Sequence, residues 1–282
     1  MKKSFYVFLL VIMAASISFG QEIKFLTYNL RYDNPGDGDN VWPNRRELIA
    51  GQINFYKPDI FGTQEGLESQ LKWLDENLPD FSYVGIGRDV ENGKPAGEHC
   101  AIFYNNKKYK VIETNSFWLS ETPDVPGKGW DAALNRICTY ALFKDTKKGK
   151  EFFVFNTHFD HMGTVAREKS AELILNKIKS INKKEYPFVL MGDFNSTLSE
   201  APIKKLSAEL SDSKTISKSK PYGPDETYNG FQVCKLPESR IDFIFTGKND
   251  FEIKKYAVLA DVYQVRYPSD HFPVFVSAKF EK

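Results

Sequence analysis

The segment from Tyr186 to Thr197, YPFVLMGDFNST, restricts the fold of this chain more than any other stretch. Four consecutive apolar residues lie between a proline and a glycine, which predicts a strand buried on both faces. Asp193 and Asn195 follow, and the alternation of side chains along a strand points them the same way. A carboxylate at the end of a buried strand is costly unless a metal, a cation or a catalytic role compensates it. The segment therefore predicts a functional site, although an Asx turn would also explain it.

Other strands end in the same way. Apolar runs predict strands at 23–30, 59–64, 151–158 and 239–246, helices at 45–56, 69–78 and 164–181, a loop at 88–99, and a helix with a mobile loop at 207–222. Side chains able to bind a metal or a phosphate lie at strand ends, namely Asn29, Glu65, His158, Asp193 with Asn195, and Asp270 with His271. Because ligands collect at one rim of a packed sheet, these residues are expected to meet in one site.

The first twenty residues predict an exported protein. Lys2 and Lys3 precede an apolar run, and the small residues Ser18 and Gly20 stand at −3 and −1 of a cut before residue 21. This pattern is typical of a secretory signal peptide and is too short for a spanning helix. We expect a signal peptide at 1–20, a single domain at 21–282 and a periplasmic or secreted location. No membrane span and no obligate protein partner are implied.

Composition limits the core and the partners. Hydrophobic residues make up 41% of the 282, enough for a sizeable core. The formal charge is +1, and loss of the two leader lysines makes it −1, so any contact with nucleic acid would depend on local charge. Three cysteines at irregular spacing do not predict a disulfide framework, and Cys100 and Cys138 are expected to be buried thiols.

Glu65, Asp270 and Asn29 are the candidate metal ligands. They offer hard oxygen atoms, which suit Mg²⁺ or Mn²⁺ bound through one or two carboxylates together with a substrate phosphate. Zinc is disfavoured because cysteine ligands are missing and the candidate histidines do not recur at zinc-like spacing. The predicted cofactor is Mg²⁺, with Mn²⁺ as the alternative.

The remaining polar residues of the set could carry acid–base chemistry. Asp193 could orient or deprotonate a water for in-line attack on phosphorus, and Asn195 could position that water or the phosphate oxygens. His158 and His271 could hold or protonate the charge that builds on the transferred group. An imidazole in this role needs a carboxylate to fix its tautomer. We expect Asp242 to serve His271 and Glu98 to serve His158.

Three residues are candidates for binding substrate: Arg31, Trp130 and Arg136. The last two lie in a long loop with several Pro and Gly residues, and such loops often carry binding residues. Trp130 could stack on a base or a sugar ring, or it could anchor the loop by packing. Arg136 could fork a phosphate, or it could pair with a nearby acid. A lysine-rich stretch at 204–220 could follow a nucleic-acid backbone or be a solvated face.

The motifs YNL, TQE, NTH, GDFN, RIDFIF and SDH, in this order, resemble the endonuclease/exonuclease/phosphatase superfamily. The resemblance covers nearly the whole chain after the leader. It implies a deoxyribonuclease I-like α/β fold, a four-layer α/β/β/α sandwich of two packed, mostly antiparallel mixed sheets. It also implies Mg²⁺-dependent phosphoester hydrolysis with Glu65 as the principal metal ligand and Asp193 as the water-activating residue. Leu67 stands where deoxyribonuclease I carries a groove-contacting Arg.

The leader predicts export, and the resemblance predicts a hydrolase that is closest to secreted bacterial members of the superfamily. We expect hydrolysis of phosphodiester bonds, with a phosphoester substrate that could include nucleic acid. A phosphomonoesterase or lipid-headgroup phosphoesterase on the same scaffold is the alternative. A non-catalytic binding protein of this fold is a further alternative, but none of the matched positions is substituted.

Overall fold

A computed structural model describes residues 22–236 and 239–281. The signal peptide predicted at 1–20 lies outside the described residues. The helices are α1 (Trp42–Tyr56), α2 (Glu68–Asn77), α3 (Thr164–Ile181) and α4 (Ala201–Glu209), with a 3₁₀ turn at Pro35–Asn40. The strands are β1 (Ile23–Asn29), β2 (Ile60–Gln64), β3 (Phe81–Val84), β4 (Gly87–Glu91), β5 (Lys94–His99), β6 (Ile102–Asn105), β7 (Tyr109–Trp118), β8 (Ile137–Asp145), β9 (Glu151–His158), β10 (Phe188–Asp193), β11 (Ser211–Asp212), β12 (Asp242–Thr246), β13 (Phe251–Val258) and β14 (Val274–Phe280).

Two six-stranded mixed sheets form the centre of the protein. The first has the order β13-β14-β1-β2-β6-β3 and the second the order β11-β12-β10-β9-β8-β7. Each sheet contains a parallel pair, β1 with β2 and β9 with β10, and the other pairings are antiparallel. The two parallel pairs matter for the site because the carboxyl ends of parallel strands lie at the same edge of a sheet.

The core lies in three layers of apolar side chains. Residues such as Phe25, Val154 and Met191 fill the space between the two sheets. The outer face of the first sheet is covered by α1 and α2, and that of the second by α3 and α4. Strands buried on both faces explain the continuous apolar runs of the sequence. The predicted fold class, a four-layer α/β/β/α sandwich, is confirmed.

Two local predictions were wrong. Residues 88–99, predicted to be a loop, belong to the hairpin formed by β4 and β5. The hairpin contains few apolar residues and its tip is exposed, so no apolar alternation marks its strands in the sequence. The helix predicted at 207–222 is instead α4, which begins at Ala201 after the N-cap residue Glu200 and ends at Glu209. No helix among the described residues is both long and apolar enough to cross a membrane.

A buried amide side chain joins the two sheets close to their shared edge. Asn156 of β9 is fully buried; its Nδ2 donates to the carbonyl oxygens of Thr63 and Ala101, each at 2.9 Å. Its Oδ1 accepts from Gln64 Nε2 at 2.7 Å. Gly62 makes this approach possible, because a Cβ there would lie 2.6 Å from the Asn156 side chain. The first residue of the NTH motif therefore has a structural role that the sequence did not indicate.

Replacement of Asn156 by Leu should destabilise the protein by about 3 kcal/mol, because it leaves buried carbonyl and amide groups without partners. The melting temperature should fall by roughly 10 °C, and urea denaturation should give the same ranking. Asn115→Leu is the matched control, since Asn115 is exposed on β7 of the same sheet and should change stability by less than about 0.5 kcal/mol. Equal stability of Asn156→Leu and the wild type would contradict the role given to this side chain.

Candidate active site

The ends of the two parallel strand pairs meet at one edge of the sandwich. Asn29 ends β1 and Glu65 follows β2, while His158 ends β9 and Asp193 ends β10. Asn29 Nδ2 lies 3.1 Å from Glu65 Oε1 and 3.0 Å from Asp193 Oδ2, so one amide connects the carboxylates of both sheets. Asp270 lies beside them and lines the same cavity as Glu65 and Asp193.

Asn29 directs its amino group, and not its oxygen, towards the carboxylates. Its Oδ1 accepts from the backbone N–H of Arg31 at 2.9 Å. The backbone N–H of Tyr32 donates to Glu65 Oε2 at 3.1 Å. In this arrangement Asn29 contacts Glu65, and the metal-ligand role that the sequence predicted for Asn29 stays a prediction. Glu65 itself keeps its carboxylate on the cavity wall.

Three site residues have left-handed backbone conformations. The φ angles are 56° at Arg31, 62° at Glu65 and 44° at Asn195. Such conformations cost of order 1–3 kcal/mol each and persist only where the surroundings impose them. Each of the three directly follows, or lies two residues beyond, the end of a buried strand. The backbone therefore turns sharply at the same place that the polar side chains enter the cavity.

Arg31 neutralises part of the acidic cluster. Its Nε and Nη2 donate to Asp37, both at 2.9 Å. Its Nε lies 3.8 Å from Asp270 Oδ2 and its Nη1 lies 4.0 Å from Glu65 Oε2. Burial raises the pKa of Asp270, and the nearby charge of Glu65 raises it further, although Arg31 acts in the opposite direction. These carboxylates thus repel each other even with the guanidinium present.

A histidine lies between two carboxylates on the other side of the site. His271 Nδ1 lies 2.9 Å from Asp242 Oδ2, the partner that the sequence assigned to it, and its Nε2 lies 3.7 Å from Asp193 Oδ2. Burial lowers the pKa of His271, but the charges of Asp242 and Asp193 outweigh burial and raise it well above its ordinary value. The Tyr228 ring packs edge-on against the imidazole, with centroids 5.1 Å apart.

Asp193 and His158 are the main residues that the second sheet places in the site. Burial, together with the charge of Asp242, raises the pKa of Asp193, although the N–H of Asn195, which donates to it at 2.9 Å, has the opposite effect. Asn195 Nδ2 lies 3.0 Å from His158 Nε2. Burial lowers the pKa of His158 well below its ordinary value, and the charge of Arg136 adds to this effect. The surroundings therefore shift the pKa values of the two imidazoles in opposite directions.

The predicted pairing of Glu98 with His158 was wrong. Both oxygens of Glu98 accept from Arg88, at 2.7 and 2.8 Å. The two residues face each other across the hairpin of β4 and β5, and a bidentate guanidinium contact satisfies a half-buried carboxylate better than a single imidazole N–H. Burial raises the pKa of Glu98 to about 7 even so. Arg88 was missed because the hairpin was taken for a loop.

Arg136 combines the two roles that the sequence left open. Its Nε lies 3.3 Å from Asp160 Oδ2 and its Nη2 lies 3.1 Å from His161 Nδ1, yet the side chain also lines the cavity. Trp130 lies on the same loop but is not among the described residues that line the cavity. Its backbone N–H donates to Glu121, which is consistent with a loop anchor.

The cavity around these groups has a volume of about 690 Å³. Its wall contains three arginines and both His158 and His271. It also contains Glu65 and Asp270, the two carboxylates that repel each other. The residues that line it are Arg31, Tyr32, Glu65, Arg88, Glu98, Leu134, Arg136, His158, His161, Asp193, Asn195, Thr197, Glu200, Tyr228, Ser239, Ile241, Asp270 and His271. All the predicted site residues except Asn29, Trp130 and Asp242 lie on this wall, and Asn29 and Asp242 contact residues that do.

The donor set fits a hard divalent cation. Glu65 and Asp270 offer oxygen atoms whose mutual repulsion a cation would relieve, and oxygen is the ligand that Mg²⁺ and Mn²⁺ take. Asp193, Asp242 and His271 form a second cluster that could bind a metal, because one ligand atom from each lies within 4.8 Å of the others. In that cluster the His271–Asp242 contact has the length of a hydrogen bond.

Comparison with known proteins agrees with this geometry. The model of the endonuclease/exonuclease/phosphatase family matches residues 26–271. A mannosyl-6-phosphatase structure from Bacteroides thetaiotaomicron is 42% identical, with a TM-score of 0.88 over 92% of this chain and 100% of that chain. A family structure from Bacteroides vulgatus is 37% identical, with a TM-score of 0.86 over 92% and 99% of the two chains.

Among curated proteins, an exoribonuclease subunit of the CCR4-Not complex from Phaeosphaeria nodorum is 28% identical over 136 residues, which are 42% of this chain and 22% of that protein. The chain spans 59%, 39% and 63% of the length of the first three curated relatives that it matches.

The two-sheet sandwich, with a polar cavity at one edge, defines the class of proteins with a deoxyribonuclease I-like fold. The chain belongs to the endonuclease/exonuclease/phosphatase family. The family resemblance drawn from the six motifs is thereby confirmed. Members of this family hydrolyse phosphoester bonds and depend on divalent metals.

Asp160 should stabilise the loop that carries Arg136. It accepts backbone N–H groups of Ala133, Met162 and Gly163 at 2.8–3.1 Å. Burial opposes its charge, but these N–H groups and Arg136 outweigh burial and hold its pKa well below the ordinary value. A lowered folded-state pKa stabilises the protein above the unfolded pKa and loses this effect as the pH falls.

Asp160→Asn should therefore lower the free energy of unfolding by about 1–3 kcal/mol at neutral pH. The difference from the wild type should shrink as the pH falls below about 5, as followed by urea denaturation at several pH values. Asp124→Asn, at an exposed position, is the control and should have no such effect. A pH-independent difference for Asp160→Asn would show that its charge is not what holds the loop.

Proposed function

We propose that this protein is a Mg²⁺-dependent phosphomonoesterase that releases phosphate from a small polyhydroxylated molecule such as a sugar phosphate. The observation that carries the proposal is the cavity, in which carboxylates able to bind a metal share a wall with arginines and with His158 and His271. The likeness to a mannosyl-6-phosphatase at 42% identity over nearly the full length supports it.

Hydrolysis of nucleic-acid diesters, which the sequence placed first, is the second candidate. It is supported by the likeness to an exoribonuclease subunit. No lysine is among the described residues that line the cavity. In the lysine-rich stretch, Lys205 pairs with Glu168 and Glu172, and Lys214 pairs with Asp225. Binding of a long nucleic-acid backbone would need a continuous row of available basic side chains. These ion pairs occupy two of the lysines in the stretch at 204–220.

Asp193 is the proposed base. In the reaction, the oxygen of a water forms a bond to phosphorus, the bond from phosphorus to the alcohol oxygen breaks, and the products are phosphate and the alcohol. Asp193 takes a proton from the attacking water, and the leaving alcohol gains one from solvent or a neighbouring acid. The N–H of Asn195 and Nδ2 of Asn29 hold the Asp193 carboxylate in place. Such positioning is a large part of acid–base catalysis.

The two histidines have different proposed tasks. His271, held by Asp242, would place positive charge next to the phosphoryl oxygens as negative charge develops. Asn195 Nδ2 lies 3.0 Å from both His158 Nε2 and the Phe159 carbonyl oxygen, so His158 and Asn195 would hold the ends of β9 and β10 together and keep Asp193 in position. Arg31 would supply a further cationic contact at the cavity wall.

Glu65 and Asp270 would hold the metal, with Asn29 keeping Glu65 in place. When bound, the cation supplies Lewis-acid stabilisation of negative charge on the phosphoryl and leaving oxygens. We favour this position over the Asp193–Asp242–His271 cluster because Mg²⁺ takes oxygen ligands and because the histidine of that cluster already makes a hydrogen bond. Export of the enzyme is proposed from the leader sequence at 1–20.

Glu65→Gln and Asp193→Asn should each lower kcat by about 100-fold or more, because each removes a charged group from the reacting centre. Phosphate release from a panel of monoesters and diesters, with and without chelator, measures this. Binding of Mn²⁺ by calorimetry should be lost in Glu65→Gln and kept in Asp193→Asn. Glu47→Gln, exposed on α1, is the control for the charge change.

Three results would contradict the proposal. Full activity in the presence of chelator would exclude the metal. Loss of Mn²⁺ binding in Asp242→Asn but not in Glu65→Gln would place the metal in the other cluster. Cleavage of DNA or RNA without phosphate release from any monoester would favour the second candidate.

A further inference from the structure

One wall of the active-site cavity is formed by Arg88, Glu98 and Arg136, and nothing in the reaction described above uses it. The three residues also line a small cavity of about 10 Å³ together with Glu65 and His158, so the wall adjoins the reacting centre. Arg88 and Glu98 come from the hairpin of β4 and β5, and Arg136 precedes β8.

The hairpin is held firmly at three points. The backbone N–H of His99 donates to the Gly66 carbonyl at 2.9 Å, which ties β5 to the residue after Glu65. The indole N–H of Trp118 donates to the Arg88 carbonyl at 2.7 Å. Asn135 Nδ2 donates to Asp89 Oδ1 at 2.9 Å and joins the hairpin to the loop that carries Arg136. The wall is therefore a rigid part of the site, as a recognition surface must be.

Both cations of the wall are paired with carboxylates. Arg88 faces Glu98 and also lies 3.7 Å from Asp89, and Arg136 faces Asp160. A wall without surplus positive charge has little attraction for a second anionic group of a substrate. Its remaining capacity is for hydrogen bonds with neutral groups.

Both donors and acceptors are left on this wall. Each oxygen of Glu98 accepts one hydrogen bond from Arg88 and has a second lone pair. Arg136 Nη1 is buried and has no hydrogen-bond partner among the described residues. A hydroxyl group both donates and accepts, so adjacent hydroxyls of a sugar match this set, whereas an ionised carboxylate has no hydrogen to donate to Glu98.

We propose that Glu98, held by Arg88 and assisted by Arg136, forms a subsite that binds the hydroxyl groups of the alcohol released on hydrolysis. The subsite would make the enzyme select sugar-like leaving groups. This inference rests on the proposed phosphomonoesterase activity and names the part of the substrate that the wall recognises.

The test compares two monoesters, mannose 6-phosphate and 4-nitrophenyl phosphate, of which only the first has a polyhydroxylated leaving group. Glu98→Gln should lower the ratio of kcat/KM for the sugar phosphate to that for the aryl phosphate by about 10-fold or more, because a site built to hydrogen-bond hydroxyls loses one acceptor. Glu91→Gln, at the exposed tip of the same hairpin, is the matched control and should leave the ratio unchanged. An unchanged ratio in Glu98→Gln, including an equal loss on both substrates, would overturn the proposal.

Arg136→Lys provides a second variant, which keeps the cation beside Asp160 and removes the Nη1 donor. It should lower the same ratio, and circular dichroism and melting curves establish that both variants are folded. If both variants fold and neither changes the ratio, the subsite is excluded.

Binding of the free sugar separates the subsite from the proposed reaction. Saturation-transfer NMR with mannose should show contact with the wild type and with Glu91→Gln, and a clear loss in Glu98→Gln. If the wild type hydrolyses only diesters but still binds mannose through Glu98, the proposed function fails and the subsite stands. If the wild type releases phosphate from monoesters but does not bind mannose, the function stands and the subsite fails.

Discussion

The buried hydrogen bonds of Asn156 hold together the two sheets from which the site is assembled. Asn29 and Glu65 stand at the ends of strands in one sheet, and His158 and Asp193 stand at the ends of strands in the other. Apolar packing between sheets is not directional and by itself would allow small sliding movements. The contacts of Asn156 with Thr63, Gln64 and Ala101 fix the relative position of β9 and β2. Asn29 then connects Glu65 and Asp193 across the same junction.

This arrangement concentrates negative charge and backbone strain at one edge of the sandwich. Burial raises the pKa values of Asp193 and Asp270, and the charges of Asp242 and Glu65, respectively, raise them further. Left-handed conformations occur at Arg31, Glu65 and Asn195. Arg45, fully buried in α1, offsets part of this cost. Its guanidinium donates to the carbonyl oxygens of Leu30, Arg31 and Pro268, and so holds the segment after β1 against the segment before Asp270.

Local sequence was sufficient for the parts of the fold that have strong periodicity. The predicted α3 and β9 have the observed bounds, and β1, β2 and β10 are close to them, because long amphipathic or fully buried runs leave little choice of structure. The hairpin of β4 and β5 was missed because its polar faces carry no such signal. The candidate site residues were predicted with the same uneven success as the secondary structure. Residues at strand ends, such as Asp193 and His271, were found from their position, but Arg88 lies in a hairpin that had been assigned as a loop.

The sequence by itself determined which residue types stand at the ends of buried strands, and the order of its six motifs determined the family. Only the tertiary structure decided which of those residues face each other. In that structure Glu98 pairs with Arg88, and the amino group of Asn29 faces the Glu65 carboxylate. Partners distant in the chain are chosen by sheet register and by the competition of several donors for one acceptor, and neither of these is encoded in a local pattern.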